Sequence, residues 1–134
     1  MIARLVTAFA SHDLEAILAC YQHDAFLDTT GLPGGGHAYG HGAIRSAYSE
    51  IFSILPELKA SVLAERTRGR FTLRQVSYEG RHPASEAPLT LTASELLEVD
   101  DGLIASARLY LDAAEAEREF DRLSAGGTAS PRRP

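Results

Sequence analysis

The sequence predicts one α+β domain with helices packed on one face of an antiparallel sheet, and three observations carry that prediction. Apolar residues recur at helical spacing from Ile2 to Leu55. From Leu58 onward the period drops to two, the repeat of half-buried strands. Between the helical stripes lies a glycine-rich stretch, Gly31 to Gly42, centred on Gly34-Gly35-Gly36. Helices followed by a strand meander segregate to one side of a sheet. Such a sheet curls, and its concave side either packs solid or leaves a cavity.

Each element follows from local chemistry. Ile2, Leu5, Val6 and Phe9 form the stripe of an opening amphipathic helix. Ser11-His12-Asp13 interrupts it and offers an N-cap oxygen for a second helix with Leu14, Ile17, Leu18 and Tyr21 on its apolar side. A third helix carries Ile44, Tyr48, Ile51, Phe52 and Leu55, and Pro56 stops it. Leu58, Ala60, Val62 and Ala64 alternate with Lys59, Ser61 and Glu65, with Leu63 out of phase. Arg68-Gly69 marks a turn into a strand over 71–78. A polar loop with Gly80, Pro83 and Pro88 leads to a strand over 89–99. Asp100-Asp101-Gly102 signals a tight hairpin into a last strand over 103–112, and helix formers fill 113–123. Residues 1–123 make the domain; 124–134, small, polar and ending in Pro and Arg, read as a disordered tail.

Composition narrows the function. The chain of 134 residues has a formal charge of −5 and no basic stripe, so nucleic acid is not an expected partner. Cys20 is the only cysteine, which excludes an intrachain disulfide and a cysteine-based metal site. No apolar run approaches the ~20 residues that span a bilayer, and Met1 to Ala10 lacks a signal-peptide run. A cytoplasmic protein without membrane partners is expected.

One residue breaks the strand pattern. Over 89–99 one face carries Leu89, Leu91, Ala93, Glu95, Leu97 and Val99, so a single carboxylate sits among apolar neighbours. The last strand places Leu103, Ala105, Ala107, Leu109 and Leu111 on one side and Ile104, Ser106, Arg108, Tyr110 and Asp112 on the other. A carboxylate on an apolar concave face is costly unless it is paired or protonated. Desolvation moves such a group toward the neutral range used by general acids and bases. The alternatives are a Glu paired with a buried arginine such as Arg74, or a Glu at a widened sheet end that reaches water. The small Ala93, Ala105 and Ala107 leave room for a ligand beside Glu95.

The remaining polar candidates are weaker. Asp28, after Phe26-Leu27 on a short strand, is a second polar group for the pocket. His37, Tyr39 and His41 alternate in the glycine-rich loop without a third strong ligand at fixed spacing, so no metal is expected there; they read first as solvated loop residues and next as contacts to a bound ligand, and the loop suits a lid. No Gly-Lys-Ser/Thr follows the glycines, so they are not a phosphate cradle. His12 and His23 are expected at exposed helix ends, and Tyr21 and Tyr48 in the core.

Leu5-Val6-Thr7-Ala8-Phe9, His12 to Ile17 and Tyr21 to Ala25, then Gly40 to Ile44 with Tyr48 and Phe52 to Pro56, then Asp101-Gly102-Leu103-Ile104 and Arg108 to Asp112, together resemble the SnoaL-like and ketosteroid-isomerase-like domains of the nuclear-transport-factor-2-like superfamily. The resemblance implies a cone-shaped, strongly bent sheet closed by N-terminal helices, a cystatin-like α+β barrel, with an apolar pocket, no required cofactor and usually a homodimer. It places Glu95 where ketosteroid isomerases carry an oxyanion-stabilising aspartic acid and SnoaL-type cyclases a pocket histidine. Leu109 stands where SnoaL-type cyclases place their catalytic aspartate, and Leu5 and Thr29 replace the tyrosine and base aspartate of ketosteroid isomerases.

The combined expectation is a cofactor-independent isomerase or cyclase acting on an apolar, carbonyl-bearing polyketide- or steroid-like molecule. Glu95, Asp28 and His41 are its candidate catalytic residues. Tyr39, His37, Leu91, Ala93, Leu97, Ala107 and Leu109 are its candidate substrate contacts, with Leu89 and Ala105 completing the lining. Ile104, Leu96 and Tyr110 are expected on the outer face as dimer contacts. The competing expectation is a non-catalytic ligand-binding or dimerisation module of the same fold.

Overall fold

The computed structural model describes residues 2–32 and 34–126. Of the expected tail, Ser124 closes the last helix, and residues 127–134 lie outside the described residues. The elements run α1 (Ile2–Ala10), α2 (Leu14–Leu18), β1 (Tyr21–Asp28), β2 (His37–Tyr39), α3 (Gly40–Ile54), β3 (Lys59–Arg68), β4 (Phe71–Arg81), β5 (Pro88–Asp100), β6 (Leu103–Tyr110) and α4 (Ala113–Ser124). The α+β class holds. Asp13 caps α2 by accepting from the Ala16 amide at 3.1 Å. Asp101 and Gly102 both take positive φ, 54° and 77°, the conformation that closes a two-residue hairpin.

The six strands form one curved sheet in the order β2-β1-β6-β5-β4-β3. It departs from the expected all-antiparallel meander in one pairing. β1 pairs with β6 in parallel, so the sheet is mixed, and β2 and β3 are its two edges, so it does not close. Tyr21 opens β1 rather than ending a helix, and His37-Ala38-Tyr39 pairs with β1 instead of belonging to a free loop. Two of the glycines between them pack closely against backbone. A Cβ on Gly31 would stand 2.4 Å from the Leu109 carbonyl oxygen, and one on Gly35 would stand 1.6 Å from that of Thr29. Close backbone approach explains both glycines.

Two β-bulges decide which side chains face inward. β3 pairs Val62 with Val76 and then Ala64 with Gln75, leaving Leu63 as the extra residue. Below the bulge the phase inverts: Ala64 turns to the outer face, and Glu65 turns inward opposite Arg74. Between β5 and β6, Glu98 pairs with Ser106 but Val99 pairs with Ile104, so Ala105 is the extra residue. Ile104 is therefore fully buried in the inner core rather than exposed on the outer face. A one-residue slip exchanges the faces of everything beyond it.

Two cores result. On the concave side α1, α2 and α3 pack over the sheet, and Leu5, Ile17, Leu27, Ile44, Leu97 and Ala107 form the interior. On the convex side α4 covers Phe71, Leu73, Leu96 and Tyr110 with Ala116, Phe120 and Leu123. The Arg66 and Arg68 guanidinium carbons lie 5.1 and 4.9 Å from the Phe120 ring centre, and the two side chains also pair with Glu117 and Asp121 of α4. Leu96 and Tyr110 are thus covered by the chain's own helix, so with Ile104 they are not available as the expected dimer contacts. No helix among the described residues is long and apolar enough to cross a membrane.

Candidate functional site

Glu95 lies on the concave face, in register with Arg74 on β4 and Leu109 on β6. Arg74 Nε donates to Glu95 Oε1 at 2.8 Å, and Arg74 Nη2 donates to the same oxygen. Both residues are 5% exposed. Burial works against the charge of Arg74, but the facing Glu95 carboxylate, by its charge and its hydrogen bonds, outweighs this and raises the guanidinium pKa. The third nitrogen, Nη1, is buried and has no hydrogen-bond partner. A guanidinium presents five donors in a fixed fork, and here one arm of the fork is left over. An unsatisfied buried donor of this kind costs about 1–3 kcal/mol, so the site gains when an acceptor reaches it.

Three phenols surround the pair. Tyr21 and Tyr48 share a hydrogen bond, oxygen to oxygen, at 2.7 Å. Burial raises the pKa of each, with added repulsion from each other and from Glu95 for Tyr21, and from Glu95 for Tyr48. Tyr78, whose Cα partner on β5 is Leu91, is raised by burial and then by Glu95. All three stay neutral donors at physiological pH. Two hydrogen-bonded phenols hold two O–H protons and use one between them, so the pair keeps one O–H to offer.

Beyond the ion pair the concave face turns apolar and opens. Ala93 follows Glu95 along β5, then Leu91, 39% exposed, and Leu89, 41% exposed. Val62 on β3, opposite Val76, is 38% exposed. Leu89, Leu91 and Val62 thus form an exposed apolar edge to this face, with Ala93 and Val76, 2% and 1% exposed, between it and the buried charged pair. The narrow end is solid: Leu97 and Ala107, expected to line the pocket, are fully buried and packed with Leu27, and Leu109 packs against the same core. Ala105 occupies the bulge instead of the lining.

The other candidates do not converge on Glu95. Asp28 pairs in register with His37 on β2 and Arg108 on β6, next to inward-facing Leu27, and so lies on the opposite face of the sheet. Its Oδ1 accepts from the Thr30 amide at 2.9 Å and the Thr30 hydroxyl at 2.5 Å, with His37 Nε2 at 3.7 Å. Tyr39 stacks on Phe26 at 4.6 Å on that same face. His41, in the first turn of α3, sits 2.9 Å from the Tyr21 carbonyl oxygen and stacks on His23 at 5.2 Å. With Asp24, Tyr39, Gly40 and Gly42 these histidines line an open hollow of about 430 Å³, separate from the ion pair. His12, expected to be exposed, is half-buried and stacks on Phe52 at 3.9 Å, with Nε2 2.7 Å from the Leu58 carbonyl oxygen.

The residues that sequence reasoning missed as a site are Tyr21, Tyr48, Tyr78 and Glu65. The tyrosines read as core because their apolar periodicity is real. Arg74 was legible only as the alternative partner of Glu95; its period-two phase with Thr72, Val76 and Tyr78 is the signal that put it inside.

The SnoaL-like domain model matches residues 2–107. No curated protein sequence matches the chain. Among solved structures, a protein of ketosteroid-isomerase-like fold from Catenulispora acidiphila, in complex with trimethylamine, is 12% identical with a TM-score of 0.75, over 95% of this chain and 92% of that one. IdmH from Streptomyces antibioticus, a proposed polyketide cyclase, is 22% identical with a TM-score of 0.71, over 81% and 86%. A second proposed polyketide cyclase, from Sinorhizobium meliloti, is 24% identical with a TM-score of 0.65, over 81% and 91%.

Proposed function

The chain belongs to the SnoaL-like domain family, and from that premise we propose that it binds an apolar, carbonyl-bearing small molecule on the concave face and carries out isomerase- or cyclase-type chemistry on it. The observation that carries this reading is the spare donor, Arg74 Nη1, buried on the concave face, with the exposed apolar Leu91 and Val62 farther along that face beyond Ala93. Flat hydrocarbon lies on Leu91, Val62 and Ala93 while its oxygen accepts from Nη1, with the free O–H of the Tyr21–Tyr48 pair as a second donor. Those donors stabilise negative charge on that oxygen. Glu95 Oε2, which takes neither Arg74 contact, removes a proton from the carbon next to the carbonyl, leaving an enolate. Returning that proton to a different carbon isomerises the ligand; attack of the enolate carbon on a second carbonyl forms the ring bond and an alkoxide, which takes the proton back from Glu95. The two proposed polyketide cyclases of the same fold favour this substrate class.

The ion pair itself favours a second reading, a ligand-binding module without chemistry, because a carboxylate held by a guanidinium is a weaker base. Thermal stabilisation by a panel of apolar carbonyl compounds, followed by product analysis, separates the two. Arg74→Lys keeps the charge and loses the fork, so it is expected to lose the stabilisation. Glu95→Gln is expected to retain binding and lose turnover. Binding by the wild type without any turnover selects the second reading, and stabilisation unchanged in Arg74→Lys rejects the site.

A further inference from the structure

The concave face holds a third charged residue that period-two alternation turned outward. Because Leu63 bulges, Glu65 faces inward on β3 with its Cα opposite that of Arg74, while Glu95 faces Arg74 from β5. In register, Arg74 therefore stands between two glutamates on adjacent strands, Glu95 buried and Glu65 exposed at the sheet edge. On the inward-facing positions of β3 to β6 these three are the charged residues; the rest are Ala60, Val62, Thr67, Thr72, Val76, Tyr78 and the apolar series of β5 and β6. Glu95 already neutralises Arg74, so Glu65 leaves this face with a net charge of −1. Glu65 also acts on Arg74 electrostatically, helping to hold the guanidinium charged.

Resting on the ligand site proposed above, we infer that Glu65 is a specificity-determining residue: it makes the site select uncharged carbonyl compounds and turn away carboxylates of the same shape. A lone buried arginine attracts a carboxylate more strongly than a ketone or ester. The second glutamate reverses that bias, because an incoming anion that reaches Nη1 must approach Glu65 as well as Glu95. Repulsion between charges several Å apart at a half-exposed site corresponds to about a threefold to tenfold change in relative affinity. The bulge is the device that delivers the residue. Without the extra Leu63, Ala64 would stand opposite Arg74 and Glu65 would face outward.

The test is a pair of probes of one shape, methyl 2-naphthoate and 2-naphthoate, titrated into the full chain by fluorescence. Three proteins are compared: wild type, Glu65→Gln, and Glu79→Gln, which removes the same charge from the outer face, where Glu79 pairs with Lys59. The ester-to-acid affinity ratio is expected to fall about threefold to tenfold in Glu65→Gln, through tighter binding of the acid, and to stay within twofold in Glu79→Gln. A ratio unchanged in Glu65→Gln, or shifted equally in Glu79→Gln, overturns the role of Glu65 and leaves the ligand site standing. Failure of both probes to bind the wild type removes the ligand site and this inference together.

Discussion

Arg74 on the concave face and Arg108 on the convex face stand on two strands of one sheet, and they are 5% and 4% exposed. Arg74 is matched by Glu95, its cross-strand neighbour, and no helix supplies its partner. Arg108 lies under α4, with Glu119 of that helix 3.7 Å away. The convex arginine fastens a cover that the chain itself provides, and Phe120 and Leu123 seal the face around it. The concave arginine is held within the sheet by Glu95, and exposed apolar Leu91 and Val62 lie farther along the same face. Buried arginine alone does not mark a ligand site. What separates the two is where the partner comes from: a neighbouring strand for Arg74, the covering helix for Arg108.

Breaking either side should be costly, by different mechanisms. Phe120→Ala removes the ring that fills the convex core and lies against Arg66 and Arg68, and a loss of about 3–5 kcal/mol is expected in denaturant unfolding. Arg74→Ala strands the Glu95 carboxylate in the interior and is expected to cost a similar 3–5 kcal/mol. The double variant Arg74→Met/Glu95→Leu sharpens the contrast. Replacing a whole buried pair by apolar residues is close to neutral, so stability should return to within about 1 kcal/mol of wild type while carbonyl binding stays lost. If binding survives in the double variant, the pair is structural only.

Alkaline titration distinguishes the faces without mutation. The phenols of Tyr21, Tyr48 and Tyr78 have pKa values raised in the folded chain. The folded state therefore keeps protons that the unfolded state releases, and stability falls as pH rises past the ordinary tyrosine value of 10.0. Ultraviolet absorbance should show Tyr21, Tyr48 and Tyr78 ionising only as the fold opens. Their free titration below the unfolding transition contradicts the buried phenol cluster. Tyr21→Phe is expected to cost about 1 kcal/mol by removing its hydrogen bond to Tyr48. Asp112→Ala, which removes the N-cap of α4, should also cost about 1 kcal/mol, at the convex side alone.

Much of this architecture was legible in the sequence, because periodicity and turn chemistry are local. The helical stripes, the Pro56 stop, the Asp101-Gly102 hairpin and the inward placement of Glu95 all follow from neighbours a few residues away. Three things were not legible. The parallel pairing of β1 with β6 joins segments about eighty residues apart, and no local signal marks it. The bulges at Leu63 and Ala105 invert every later position, so Ile104 and Glu65 face the side opposite to simple alternation. Finally, Asp28, His37 and Tyr39 looked like companions of Glu95 because they are polar and close to a glycine-rich loop. The sheet stands between them and Glu95, and which face a short strand presents depends on its partner strand.

The account rests on the concave pair as the place where a carbonyl ligand docks. The most direct measurement is a nuclear magnetic resonance titration of the labelled chain with methyl 2-naphthoate, following the Arg74 guanidinium and the methyl groups of both faces. Shifts centred on Arg74, Leu91, Val62 and Val76, with Leu73 and Leu123 under α4 unmoved, are the expected result. Shifts centred instead on the His23–His41 hollow or on the α4 face, with Arg74 unchanged, contradict it.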